Sequence, residues 1–228
     1  MKNQNERVQE LFSHLPEGVA AAELYAQSSE DFSVGLTNGE LDDYSVSESG
    51  GFCLRADCGH IGYASSQDPA ADLEPLLDTA IQNARALENE DEQTIYAGAG
   101  HYPSVPEPAD DPATAEEKIA LAKKIEKQML SFDERICRVA ECGVATGKGA
   151  VSLVNSLGLS LSYSSAYAVC YVNPVAELDG ETKDSFAWRA ALTTAGLDVD
   201  GMIKEAAESL FSRFGASPLP SGSTPAVF

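Results

Sequence analysis

Zinc hydrolysis needs neutral imidazoles held on one face, which two histidines one helical turn apart achieve in H-E-x-x-H. The chain has three histidines, His14, His60 and His101. None has a second histidine within reach, and none is followed by Glu. His14 falls at the expected C-terminus of a helix, where it complements the dipole. His60 falls in a turn and His101 in a Pro-rich stretch. The five cysteines are an odd count, which argues against a closed disulfide framework. Cys53 and Cys58 are five apart, as are Cys137 and Cys142, and on a continuous strand that spacing points the two side chains to opposite faces. Reduced, partly buried thiols are the main reading. A zinc site drawing on both pairs is the alternative, although C-x4-C is not a usual knuckle spacing.

Phosphate and acyl chemistry fare no better. Gly143 to Gly149 reads G-V-A-T-G-K-G, one residue short of a P-loop. It ends in Gly where Ser or Thr must reach magnesium, and a strand pattern follows instead of a helix. Gly147-Lys148-Gly149 is therefore expected to be a hairpin turn. No G-x-S-x-G occurs, and Ser47-Glu48-Ser49-Gly50 has no paired histidine. Ser45, Ser47, Ser49 and Ser160, Ser162, Ser164 recur at a spacing of two. They are either the solvated side of half-buried strands or a polar face or edge that docks an extended segment. The expectation is that this chain supplies no catalytic, no cofactor-binding and no metal-binding residue.

The elements that would position any chemistry are clearer. Phe32, Val34 and Leu36 alternate with Ser33, Gly35 and Thr37, the period of a half-buried strand. Asn38-Gly39 supplies the tight turn, and the chain returns with Tyr44 and Val46 on one face and serines on the other. Gly50-Gly51 is expected to interrupt this run before Phe52-Cys53-Leu54, and Asp57-Cys58-Gly59 turns it into Ile61 to Ala64. A strand over Val19 to Gln27 precedes the hairpin, and a short helix over Asn5 to Leu15 precedes that. Asp68-Pro69 is expected to open a helix to about Leu87, with Leu73, Leu76, Leu77, Ala80, Ile81, Ala84 and Leu87 in its apolar stripe.

An acidic, Ser-rich hairpin, then S-E-S-G-G-F-C-L-R, then G-H-I-G-Y-A-S-S resembles the N-terminal domain of the TldD/PmbA family. Those proteins were long called modulators of DNA gyrase and are read as bacterial metalloproteases built from two unlike subunits. The form resembles the PmbA (TldE) branch more than TldD. The resemblance implies a non-catalytic subunit of a cytoplasmic metallopeptidase acting on unfolded or small peptides. Zinc would be held by a TldD-like partner, whose longer helical motif separates two histidines by Glu and three other residues. It implies no cofactor in this segment. It covers essentially all of this chain and about the first half of a family protein.

The rest of the chain fits one plan. Glu88 to Pro112 combines an acidic run with four prolines, so it has little to bury and cannot hold a central strand. Thr114-Ala115-Glu116-Glu117 is a capping box that starts a helix to about Phe132. Strands are expected over Arg135 to Ala145, Ala150 to Asn155, Leu159 to Glu177 and Thr182 to Thr193, with a last helix over Asp200 to Phe214. The fold class is therefore α+β, with two units that are each an antiparallel meander packed with helices. Along the chain these are 1–88, an acidic Pro-rich linker 89–112, 113–217, and 218–228 as the start of a truncated C-terminal domain. Ala226-Val227-Phe228 reads as a strand beginning without a partner, so self-association into homo-oligomers is expected.

Composition excludes several classes. The 228 residues hold 36 acidic and 15 basic side chains, a formal charge of −21. Lys123-Lys124 is the only short basic cluster, so a phosphate-tracking surface is absent and nucleic acid is not an expected partner. No apolar run approaches the ~18 residues of a membrane span, and the polar start MKNQNERVQELF lacks a secretory core. No membrane association and a cytoplasmic location are the expectation. The acidity reads as a surface kept apart by its own charge. The competing class is a stand-alone acidic interaction module, of gyrase-modulator or DNA-mimic type.

Overall fold

A computed structural model describes residues 8–68, 70–88, 93–217 and 221–225. The expected strand over Ala226 to Phe228 lies outside the described residues, as do the first residues of the N-terminal helix, which is seen at 8–12. The strands are β1 (Ala21–Thr37), β2 (Glu40–Asp57), β3 (Ile61–Ser66), β4 (Ile136–Asn155), β5 (Ser160–Leu178), β6 (Glu181–Asp184) and β7 (Ala187–Ala191). The helices are α1 (Leu73–Arg85), α2 (Ala115–Leu130) and α3 (Val199–Ser212). The strand order is β3-β2-β1-β4-β5-β6, with β7 also paired to β5. The β2–β3, β5–β6 and β5–β7 pairs are antiparallel. The class is α+β.

The packing forms two compact units, which interleave along the chain. One gathers the chain up to Phe32, Val46–Asp110 and Thr146–Tyr167; the other gathers Ser33–Ser45, Asp111–Ala145 and Ala168–Phe228. Each of β1, β2, β4 and β5 contributes one end to each unit.

In the first unit α1 lies on β3. Leu73, Leu77, Ala80 and Ile81 from α1 join Ala22, Leu24, Phe52, Leu54, Ala56, Val154, Val8 and Phe12 in one buried cluster. The contact is close. A Cβ placed on Gly62 would sit 2.0 Å from the Ala80 carbonyl oxygen and 2.2 Å from the Ala84 nitrogen, so only glycine admits the helix backbone here. The helix starts later than expected. Asp72, not Asp68, is its N-cap and accepts from the Glu74 N–H. Asp68 instead closes a turn, accepting from the Ala70 N–H.

In the second unit α3 packs on β6 and β7 and against α2. Thr114 and Glu117 form the reciprocal capping box. Ala122, Ile125 and Met129 of α2, Met202, Ala206 and Leu210 of α3, and Cys142, Val144, Ala168, Cys170 and Val172 of β4 and β5 are all buried. The Cys142 thiol donates to the Ala122 carbonyl and the Cys170 thiol to the Met202 sulfur. These contacts place Cys142 and Cys170, and by alternation Val144, Ala168 and Val172, on the helix side.

Several expected boundaries are corrected. Gly147-Lys148-Gly149 is no turn, because β4 runs through it. A Cβ on Gly147 would meet the Tyr167 ring at 2.3 Å and Asp31 Oδ1 at 2.5 Å, so this glycine makes room for a neighbour within a strand. Gly50-Gly51 likewise lies inside β2, where a Cβ on Gly51 would be 2.6 Å from the Ser66 carbonyl oxygen. The stretches Val19 to Gln27 and Phe32 to Thr37 are parts of one strand, β1. Conversely, Thr182 to Thr193 holds two strands. Ser185 separates them, with its N–H donating to the Pro174 carbonyl and its hydroxyl to the Ala206 carbonyl. Of the turns read from the sequence, Asn38-Gly39 carries positive φ at both residues and Asp57-Cys58-Gly59 at Gly59.

Candidate functional site

In the first unit, alternation along β1 and β2 sends Ala21, Glu23, Arg55 and Asp57 to the face away from α1. The chain itself covers part of that face. Ile95 is buried with Ala21 and Ile61, and the Asn155 amide donates to the Tyr96 carbonyl at 2.8 Å. Glu23 is 2% exposed and pairs with the Arg55 guanidinium. Burial pulls that guanidinium down, but its bond to Glu23, with Tyr63 adding, leaves it raised on balance. The whole arrangement is a satisfied structural network that anchors residues 93–98.

The second unit presents a different face opposite its helices. Tyr171 of β5 stands directly across from Trp188 of β7, and Phe186 stacks on Tyr171 with centroids 5.9 Å apart at 29°. The Tyr171 ring lies across the sheet over Gly143. A Cβ there would be 2.8 Å from the ring and 2.6 Å from the Val34 carbonyl oxygen. A Cβ on Gly35 would fall 3.5 Å from the Tyr171 hydroxyl and 3.3 Å from the Asp43 Cβ. Two glycines thus let one phenol lie flat, with its hydroxyl toward Asp43. Burial pushes that hydroxyl up from the usual tyrosine value, and the Glu141, Cys142 and Asp43 charges add to the effect. It is a neutral donor at physiological pH. Ser33 Oγ donates to Asp43 Oδ2 at 2.7 Å.

Phe186 and Trp188 are 52% and 56% exposed, and the Asp43 and Glu141 side chains are open to solvent. The result is an aromatic platform beside two carboxylates. Chemically it can stack flat groups and attract cations; it holds no nucleophile–base pair. Sequence reasoning missed it. Phe186-Ala187-Trp188 shows only a strand's alternation, and the register that sets Trp188 beside Tyr171 is not written locally.

The three histidines singled out from the sequence belong to the first unit. His14 is exposed at a helix end, with Ser13 Oγ 2.7 Å from its Nδ1. His60 is in the β2–β3 turn and His101 is exposed in the segment without regular structure. Among the described residues no three His, Cys, Asp or Glu side chains converge to hold a metal. The five cysteines are free. Burial pushes the Cys142 thiol up to about 12, with the Glu126 charge adding to it, so it is a packed, unreactive thiol. Ser45, Ser47 and Ser49 are exposed, but so are Tyr44 and Val46, at 51% and 64%. That end of β2 therefore buries neither face, against the half-buried reading. β3 pairs only with Phe52 to Asp57, so it reaches no further along β2.

Comparison with known proteins decides the family. Residues 22–84 match the model of PmbA/TldA metallopeptidase domain 1, and residues 108–213 match that of the PmbA/TldA metallopeptidase central domain. The chain belongs to the PmbA/TldD family. Its fold is similar to a crystal structure described as a DNA gyrase modulator from Thermotoga maritima, with a TM-score of 0.82 at 20% identity over 97% of this chain. It is also similar to TldE from Thermococcus kodakarensis (0.74, 18%, 91% of this chain). A further gyrase-modulator structure, from Bacteroides thetaiotaomicron, gives 0.74 at 20% over 97%. The chain spans about half of those proteins, 49%, 46% and 52% of their lengths. No curated protein matches it. No described helix of this PmbA/TldD-family chain is long and apolar enough to cross a membrane.

Proposed function

We propose that this chain is the N-terminal part of a PmbA/TldE-like, non-catalytic subunit of a cytoplasmic metallopeptidase of the TldD–TldE type, acting on unfolded or small peptides. Zinc would sit in a TldD-like partner. The observation that carries the reading is the donor set of a metallopeptidase-family chain. Its three histidines stand in a helix end, a turn and an irregular segment, and none belongs to a group of three donors among the described residues. A zinc peptidase site needs three such ligands on one wall, so these residues do not fit the metal and no hydrolytic step runs through them. The fold likeness to TldE supports the branch. In sequence order we propose 1–88 and 113–217 as the two domain segments, joined by 89–112, with four of their strands shared between the two packing units.

The test is reconstitution. An unstructured reporter peptide is offered to this chain alone, then to a TldD-like subunit with and without the whole reading frame that contains this chain. Cleavage should appear only when both subunits are present. Cleavage by this chain alone, or full activity of the TldD-like subunit without it, would sink the reading.

A further inference from the structure

The platform of the second unit goes beyond that reading and stands on geometry alone. Three aromatic rings lie on one sheet face, two of them more than half exposed. By alternation, the side chains sharing this face are Ser33, Gly35, Glu141, Gly143, Val169 and Ala190, with Asp43 beside Gly35. None is Lys or Arg. The β7 cation is turned elsewhere, since Arg189 stands opposite Cys170 on the helix side and binds Glu205 at 2.6 Å.

Which occupant fits is decided by charge. An apolar cover would bury Asp43 and Glu141 without a counter-ion, a cost of several kcal/mol per unpaired charge. A second copy of this chain would bring another −21 toward an acidic face. Nucleic acid is repelled for the same reason. A guanidinium satisfies every feature at once. It is planar and stacks on indole and phenol faces, and it offers paired N–H donors to carboxylates. We propose that this face docks an extended, arginine-bearing segment of a basic protein partner, with the guanidinium stacked on the Trp188–Tyr171 platform and neutralised by Asp43 and Glu141.

Trp188 is the chain's single tryptophan, so its emission reports on this face alone. The 228-residue chain is titrated with a short peptide alternating Arg and Gly, beside the same peptide carrying citrulline, the uncharged isostere of Arg. The expected result is a saturable, salt-sensitive change in Trp188 emission with the Arg peptide and none with citrulline. The double variant Asp43→Asn, Glu141→Gln should raise the midpoint by about tenfold or more at an unchanged melting temperature. The control pair Glu116→Gln, Glu208→Gln should leave the midpoint where it was. Equal binding of the citrulline peptide, or equal weakening by the control pair, would overturn the proposal. So would silence of Trp188, or an emission that shifts with protein concentration alone, which would assign the face to a second copy.

Discussion

The two units treat the sheet face away from their helices in opposite ways. In the first, the chain folds its own segment 93–98 onto that face, buries Ile95 and closes a Glu23–Arg55–Asn155 network beneath it. In the second, aromatic rings lie open beside the solvent-exposed Asp43 and Glu141 carboxylates. Burying a charge demands a partner inside the fold, and the first unit supplies one. The second unit leaves Asp43 and Glu141 open to solvent on that face, where another molecule can reach them. The covered face is architecture, and the open face is the place to look for recognition.

That contrast predicts an order of effects. The largest should come from Gly62→Val in the first unit. The Ala80 and Ala84 backbone cannot move aside without lifting α1, so a loss of roughly 3 kcal/mol or more is expected in chemical denaturation. A variant within about 1 kcal/mol of the parent would show that α1 does not clamp β3 as described. Next, Glu23→Ala strands Arg55 on the covered face and should cost roughly 2–3 kcal/mol. It should also speed proteolytic cutting between residues 93 and 112, because the network holds that segment down. Unchanged cutting would mean that Ile95 alone anchors it.

On the open face the same kind of change should hardly matter. Trp188→Ala is expected to cost at most about 1 kcal/mol, the worth of an exposed cross-strand pair. A larger loss would make the platform structural. Smallest of all is a pH effect. Hydrogen bonds from the Arg135 side chain, then from its backbone N–H, hold the Asp133 carboxyl down at about 2 against an ordinary 3.8. A depressed carboxylate contributes stability that is present above its unfolded value and lost as pH falls through its folded one. Acid titration from pH 4 to pH 2 should therefore show a slightly shallower loss in Asp133→Asn, because the site is exposed. An identical slope would place Asp133 outside the acid transition.

What the sequence disclosed follows the same division. Features set by neighbours along the chain were legible, such as the Asn38-Gly39 turn, the Thr114–Glu117 capping box and most of the apolar stripe expected for α1, of which Leu76 is only half-buried and Leu87 is exposed. Features set across the sheet were not. Gly147 and Gly51 read as breakers because glycine usually turns a chain, yet here each yields space to a neighbouring strand's atoms. Tyr44 and Val46 alternate like core residues, but nothing in the sequence says that β3 stops at Ser66 and pairs no further than Phe52. The platform was hidden for the same reason, since it exists only in the β5–β7 register.

The central claim is that this chain contributes shape and recognition, and that zinc chemistry belongs to a partner. Elemental analysis of the purified 228-residue chain, loaded with excess zinc and then desalted, tests it most directly. The account predicts far less than one zinc per chain and no cleavage of an unstructured peptide. One zinc per chain, lost on replacing Cys53 or Cys137 with serine, would contradict it.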